Sequence, residues 1–147
     1  MPHLLCHLAA RILVVDDETH IARFLQFLLT KEGYQTAVAY DGVQALEVYQ
    51  QFQPDGVLLD VILPKLCGIE VLRRIHASLD GAADPPLVLL LTGLNRQEIP
   101  ADIMKLSGVA HCPKPIAPST LMRTLREHGL FGYSRPQTAY RVSRAAG

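Results

Sequence analysis

GVLLDVILPKLCG, residues 56–68, is the stretch whose reading decides the fold. Gly56 to Asp60 is a short apolar run that ends in a carboxylate. Such a run marks a strand covered on both faces. Pro64 and Gly68 then turn the chain out into a loop. An acid at the carboxyl end of a parallel strand stands where open α/β sheets collect their ligands. The same arrangement recurs on both sides of this stretch. Arg11 to Val15 (RILVV) runs into Asp16 and Asp17, Leu87 to Leu91 into Thr92 and Gly93, and Val109 to Cys112 into Pro113 and Lys114. Gln35 to Tyr40, rich in small and β-branched residues, supplies one more strand.

Helical spacing fills the intervals between these strands. Ile21, Phe24, Leu25 and Leu28 define the inner face of a first helix, with Asp17 or Thr19 as its cap and Gly33 at its end. Asp41-Gly42 opens a second, with Val43, Leu46 and Tyr49 inward and Pro54 closing it. Ile69, Leu72, Ile75 and Leu79 mark a third, followed by a flexible connection from Gly81 to Pro86. A fourth, around Gln97 to Leu106, contains Pro100 and is expected to begin late or to kink. The last runs from Pro118 to His128 with Leu121, Met122 and Leu125 inward. Five strands alternating with five helices predict an α/β fold. At this size the arrangement is an open, doubly wound, five-stranded parallel sheet of order 2-1-3-4-5, flavodoxin-like. Residues 1–10 read as an N-terminal extension and 11–128 as the folded domain. Residues 129–147 read as a basic, flexible tail carrying Arg135, Arg141 and Arg144 and no acid.

Composition narrows the function classes. At 147 residues the chain suits one domain. Its 14 basic and 14 acidic residues balance to a formal charge of zero. There is thus no general attraction to nucleic acid or to an anionic membrane, and no direct DNA binding is expected. No apolar run approaches the roughly 20 residues of a membrane helix. The opening MPHLLCHLAA lacks the basic region of a cleaved signal. Three cysteines, Cys6, Cys67 and Cys112, are an odd number without metal-ligand spacing, as in reduced thiols of a cytoplasmic protein. His3, His7 and His20 form no convincing metal set.

Under the 2-1-3-4-5 order, four strand ends bring Asp16, Asp17, Asp60, Thr92 and Lys114 to one rim. Three carboxylates in one crevice repel each other and need counter-charge. Lys114 supplies one positive charge, and a hard divalent cation, Mg²⁺, would supply the rest. A carboxylate beside a metal, a lysine and a hydroxyl suits phosphoryl transfer.

RILVVDDE, LLDVILPKLCG, LLLTG and the Lys-Pro pair, taken together in this order and spacing, resemble the receiver domain of bacterial two-component response regulators. The resemblance runs from Arg11 to His128. It implies that Asp60 accepts a phosphoryl group from a histidine kinase or phosphotransfer protein, with Mg²⁺ as cofactor. It implies that Asp17, Asp60 and the backbone carbonyl of Ile62 bind the metal directly, while Asp16 acts largely through water. Thr92 corresponds to the switch hydroxyl, Lys114 to the lysine that pairs with a phosphoryl oxygen, and Gly93 to a position kept small for the phosphodonor. Pro115 corresponds to a cis-peptide position. The protein would then be no enzyme beyond its own phosphorylation and dephosphorylation, and would act by phosphorylation-dependent binding to a downstream protein. It would do so alone or as the N-terminal part of a longer regulator.

Departures from the family pattern matter as well. His111 stands where relatives carry Tyr or Phe, a smaller and ionisable ring at the switch position. Val109 and Ala110 replace acids that relatives use in charged dimers. Ile62 and Leu94 are apolar at positions flanking the path of hydrolytic water, which predicts slow loss of the phosphoryl group. Cys67 replaces a frequent Asp and reads as a loop residue, with a redox-sensitive thiol as the sharper alternative. Two other functions stay open. One is a degenerate receiver that binds partners without phosphorylation. The other is a haloacid dehalogenase-type phosphatase, disfavoured because Ile62 occupies its second acid position.

Overall fold

The computed structural model describes residues 9–79 and 84–132. The sheet has five strands, β1 (Arg11–Val15), β2 (Gln35–Ala39), β3 (Gly56–Asp60), β4 (Leu87–Thr92) and β5 (Val109–Pro113). All pair in parallel, in the order β2-β1-β3-β4-β5. Helices α1 (Thr19–Lys31), α2 (Gly42–Phe52), α3 (Gly68–Ala77) and α4 (Ala101–Met104) lie in the crossovers, and α5 (Pro118–Glu127) follows β5. The architecture is the open doubly wound α/β sheet that the alternation of elements predicts.

The three inner strands, β1, β3 and β4, are apolar on both faces because each face is covered. Leu13, Val15, Val57, Leu59, Val88 and Leu90 pack with Ala45 of α2, Val71, Leu72 and Ile75 of α3 and Ile103 of α4. Ile12, Val14, Leu58, Leu89 and Leu91 point the other way, toward Ala22, Leu25 and Leu29 of α1 and Leu121, Met122 and Leu125 of α5. Burying a Leu or Val side chain contributes about 1.5–3 kcal/mol. The two layers together hold β3 and β4 at the centre with every residue buried.

Several local expectations need correction. The buried stripe of α1 is Ala22, Leu25 and Leu29, whereas Phe24 is 49% exposed. Val43 is exposed too, so α2 packs through Ala45, Leu46 and Tyr49. Neither Asp17 nor Thr19 caps α1. Glu18 occupies that position without a side-chain cap, and its N–H donates to Asp16 Oδ1 at 2.9 Å. Asp41 does cap α2, accepting from the Gln44 N–H at 2.7 Å. The fourth helical segment is a 3₁₀ turn (Arg96–Glu98) and then, after Pro100, the single turn of α4. Proline removes the donor and clashes with a preceding turn, so the helix restarts behind it.

Beyond α5 the chain stays on the body through Gly132. Ala10 N–H donates to the Phe131 carbonyl at 2.9 Å, and Tyr34 donates its hydroxyl to the Leu130 carbonyl at 2.7 Å. Cys6, His3, His7, most of the N-terminal extension, the residues 80–83 of the α3–β4 connection, and Arg135, Arg141 and Arg144 lie outside the described residues. Among the described residues no helix is long and apolar enough to cross a membrane.

Candidate functional site

A parallel sheet sends all its carboxyl ends to one rim, and this order sets β1 and β4 on either side of β3. Val15 lies opposite Leu59, and Asp60 opposite Leu91. Asp16, Asp60 and Thr92 are thereby carried into the rim as the three buried polar residues among those described, exposed by 0%, 6% and 1%. Asp17, one residue further along, is exposed to solvent. Neighbouring residues on an extended chain point opposite ways, which separates the two acids.

A buried carboxylate is costly unless it is paired. Lys114 reaches back from the end of β5 and places its ammonium 3.2 Å from Asp16 Oδ2 and 3.2 Å from Asp60 Oδ2. Its backbone N–H is tied to the Thr92 carbonyl at 2.9 Å, so the ends of β4 and β5 move together. The Lys114–Pro115 peptide is cis. Asp60 Oδ1 accepts the Ile62 N–H at 3.2 Å. Burial pushes the Asp60 carboxyl above its usual range, Lys114 opposes the rise, and the charge of Asp16 adds to it. For Lys114 burial works downward, but Asp16 and Asp60 outweigh it and raise the ammonium further, keeping it charged.

One lysine does not balance three acids. Asp16, Asp17 and Asp60 each offer a carboxylate oxygen, and those oxygens lie within 4.8 Å of one another. All are hard donors with excess negative charge, a set that fits a hard divalent cation such as Mg²⁺. The donors for an added anion stand across the crevice. Thr92 Oγ1 accepts the Leu94 N–H at 3.0 Å, which leaves the hydroxyl proton to donate elsewhere. At Gly93 an added Cβ would meet nothing within 4 Å, so the approach beside Thr92 is open.

The loop after Asp60 folds tightly onto its own strand. A Cβ at Gly68 would fall 2.1 Å from the Asp60 carbonyl oxygen, and Gly68 N–H donates to the Val61 carbonyl at 2.8 Å. Ile62 rides on this loop with 69% of its surface exposed beside the acid. Cys67 is an exposed free thiol at the start of α3, and Cys112 is a buried one, its thiol raised by burial. His111, paired in register with Leu90, is half-buried, and its Nε2 is enclosed without a hydrogen-bond partner.

Sequence reasoning missed an apolar groove of about 440 Å³ beside Lys114, lined by Glu18, Ile21, Phe24, Leu25, Pro115 and Ile116. Its one visible signal was a large aromatic, Phe24, on a helix already supplied with core residues.

Comparison with known proteins gives a consistent result. The sequence pattern of the family described as "Response regulator receiver domain" matches residues 12–126. The "Response regulator MprA" of Mycobacterium tuberculosis is 34% identical over 134 residues, covering 90% of this chain and 55% of that one. The "DNA-binding response regulator MtrA" of Mycobacterium leprae is 36% identical over 118 residues, covering 79% and 49%. The chain thus spans about half the length of these curated relatives. Among solved structures, Vibrio cholerae chemotaxis protein CheY4 superposes with a TM-score of 0.72 at 27% identity, over 81% of this chain and 98% of that one. The receiver domain of the Francisella response regulator 1452 gives 0.68 at 28% identity, over 80% and 93%.

Proposed function

The chain belongs to the response regulator receiver family, and from that premise we propose that Asp60 is its phosphoacceptor. A carboxylate oxygen of Asp60 attacks the phosphorus of a phosphohistidine on a sensor kinase or phosphotransfer protein. A P–O bond forms, the P–N bond breaks, and the departing imidazole keeps the electron pair and takes up a proton. The product is an acyl phosphate on Asp60.

The chain's own residues divide the work. Lys114 already lies against Asp60 and would pair with an incoming phosphoryl oxygen. Thr92 has an uncommitted proton to donate to a second oxygen. Asp17 and Asp60, with the Ile62 backbone carbonyl, would hold Mg²⁺, which when bound supplies positive charge against the phosphoryl oxygens. Asp16, fully buried with its oxygens meeting the Glu18 N–H and Lys114, would take part in metal binding largely through water, as the family resemblance implies. Gly93 leaves the donor's path open.

Phosphorylation adds acceptor oxygens and negative charge at the one point where the ends of β4 and β5 both bear on the site. Thr92 and Lys114 would be drawn inward, and with them the surface around His111, altering the fit of a downstream protein. The receiver itself is proposed to act in the cytoplasm and not to touch DNA, its balanced charge giving no general attraction to phosphates. In relatives described as DNA-binding, about half the length lies beyond the matched part, and output through DNA would fall to such a segment.

The observation that carries this reading is the single ammonium of Lys114 bridging buried Asp16 and Asp60. Incubation with acetyl phosphate and Mg²⁺ should add roughly 80 Da, the mass of one phosphoryl group, by intact mass. The adduct should be absent in Asp60→Asn and without Mg²⁺. A wild-type protein that takes no adduct would instead be a phosphorylation-independent interaction module.

A further inference from the structure

The loop from Val61 to Cys67 that carries Ile62 does not stand alone. Its middle rests on the N-terminus of α2, a contact with no signal in the sequence. Gly42 N–H donates to the Pro64 carbonyl at 3.3 Å, and Lys65 Nζ lies 3.4 Å from Asp41 Oδ2. Lys65 adopts a left-handed φ of 68° to make this turn, and Leu66 N–H closes back onto the Pro64 carbonyl at 2.7 Å. Gly42 is buried under it. A Cβ there would fall 1.9 Å from the Leu66 carbonyl oxygen and 2.6 Å from Leu66 Cβ. An ordinary carbon–oxygen contact needs about 3.3 Å, so any side chain at 42 must push the loop outward by an ångström or more.

We propose that Gly42 is a positioning residue for the phosphoryl-transfer site, seating the Val61–Cys67 loop so that the backbone of Ile62 faces Asp60 correctly for Mg²⁺ binding. This inference rests on Asp60 being the phosphoacceptor. The opposite end of the loop is fixed by Gly68 against the Asp60 carbonyl, so displacement of the middle is taken up by the residues between, Ile62 among them. Asp41 contributes twice. One carboxylate oxygen caps α2 through Gln44, and the other faces Lys65. The exposed lysine makes that ion pair a weak contribution beside the steric fit.

Local preference argues the other way, since alanine favours a helix more than glycine does. Gly42→Ala therefore separates the two effects. The full chain and its Gly42→Ala variant would be compared in three measurements: Mg²⁺ affinity by calorimetry, the Mg²⁺ concentration for half-maximal phosphorylation by acetyl phosphate, and thermal unfolding. The variant is expected to need at least tenfold more Mg²⁺ in both binding and phosphorylation while still unfolding cooperatively. A merely structural role would lower the melting temperature and leave the Mg²⁺ dependence of the folded protein unchanged, which would overturn the proposal.

Amide hydrogen exchange on the wild-type protein gives an answer even if the variant does not fold. Saturating Mg²⁺ should slow exchange at the Gly42 amide severalfold, because ordering the loop strengthens its bond to Pro64. An unchanged Gly42 amide in Mg²⁺-bound protein would also refute the coupling. Wild-type protein that takes no phosphoryl group would fail the reading of Asp60 itself. Normal phosphorylation with an indifferent Gly42 would fail this inference alone.

Discussion

At the scale of single residues, if Asp60 is the phosphoacceptor, the side chain expected to bear most on the lifetime of its acyl phosphate is Ile62. It stands two positions after Asp60, is largely exposed, and offers the site only backbone groups. Attack by water on an acyl phosphate is helped by a group that orients the water and takes its proton. Neither Ile62 nor Leu94 has one. The phosphorylated form is therefore expected to persist for minutes or longer without a phosphatase. Ile62→Asn should shorten its half-life about tenfold, a fraction of what a full general base contributes, as followed by decay of the phosphorylated mass after the donor is removed. An unchanged decay would mean that access of water, not its orientation, sets the rate. Asp60, Thr92 and Lys114 were legible because each ends an apolar run, and a run buried on both faces has only its end to offer to chemistry. The unequal fate of Asp16 and Asp17 was not legible from residue type, since two adjacent acids look alike until the backbone turns one inward. The groups that engage the site oxygens, the N–H of Glu18, Ile62 and Leu94, were equally hidden, because every residue carries one.

At the scale of elements, the strands, their order and α5 with its inward Leu121, Met122 and Leu125 followed directly from the sequence, while the inner face of α1 and the length of α4 did not. In α1 the apolar residues cover more than one face, so spacing favoured Phe24 over Ala22. Ala22 is fully buried in the cluster between α1 and the sheet, and hydropathy gives a small residue little weight. Phe24 is left to line the groove beside Lys114. The reduction of α4 to one turn follows from Pro100, whose presence was visible but whose cost to the rest of the helix depends on tertiary contacts. A single turn has few internal hydrogen bonds to lose and is held by burial of Ile99 and Ile103. Amides of Ala101–Met104 are accordingly expected to exchange at least a hundredfold faster than those of Ala22–Leu29 in α1. Ile103→Ala should cost about 2–5 kcal/mol in urea unfolding, against under 1 kcal/mol for the neighbouring, exposed Asp102→Ala. Equal protection of α4 and α1 would show that the short helix is more firmly held than its one turn implies. Because α4 packs on the same sheet face toward which His111 points, this one-turn helix is also the element expected to respond if phosphorylation draws Thr92 and Lys114 inward.

At the scale of the whole molecule, the site is expected to cost stability. Burial and the neighbouring Asp16 raise the Asp60 carboxyl despite Lys114, so the folded state holds that proton more tightly than the unfolded chain does. Below the unfolded value of about 3.9 both states are protonated and ionisation costs nothing. As the pH rises through the elevated folded value the cost develops, and above it the cost is complete. Asp60→Asn removes the charge and keeps the shape. It should therefore stabilise the metal-free protein at pH 7.5 by on the order of 1 kcal/mol, a rise of about 3–5 °C in Tm. The gain should shrink steadily as the pH is lowered toward 4. Thermal unfolding of both proteins at pH 7.5, 6, 5 and 4 tests this. A gain independent of pH, or a loss at pH 7.5, would mean that the pairing with Lys114 outweighs burial. Mg²⁺ should act in the opposite sense. It would stabilise whichever folded protein binds it, as the logarithm of one plus its concentration over Kd, and the variant would lack one of the proposed charged ligands. Adding Mg²⁺ at pH 7.5 is thus expected to narrow or reverse the difference. Excess negative charge at the strand ends would then be what makes the apo receiver less stable and its occupied site favourable.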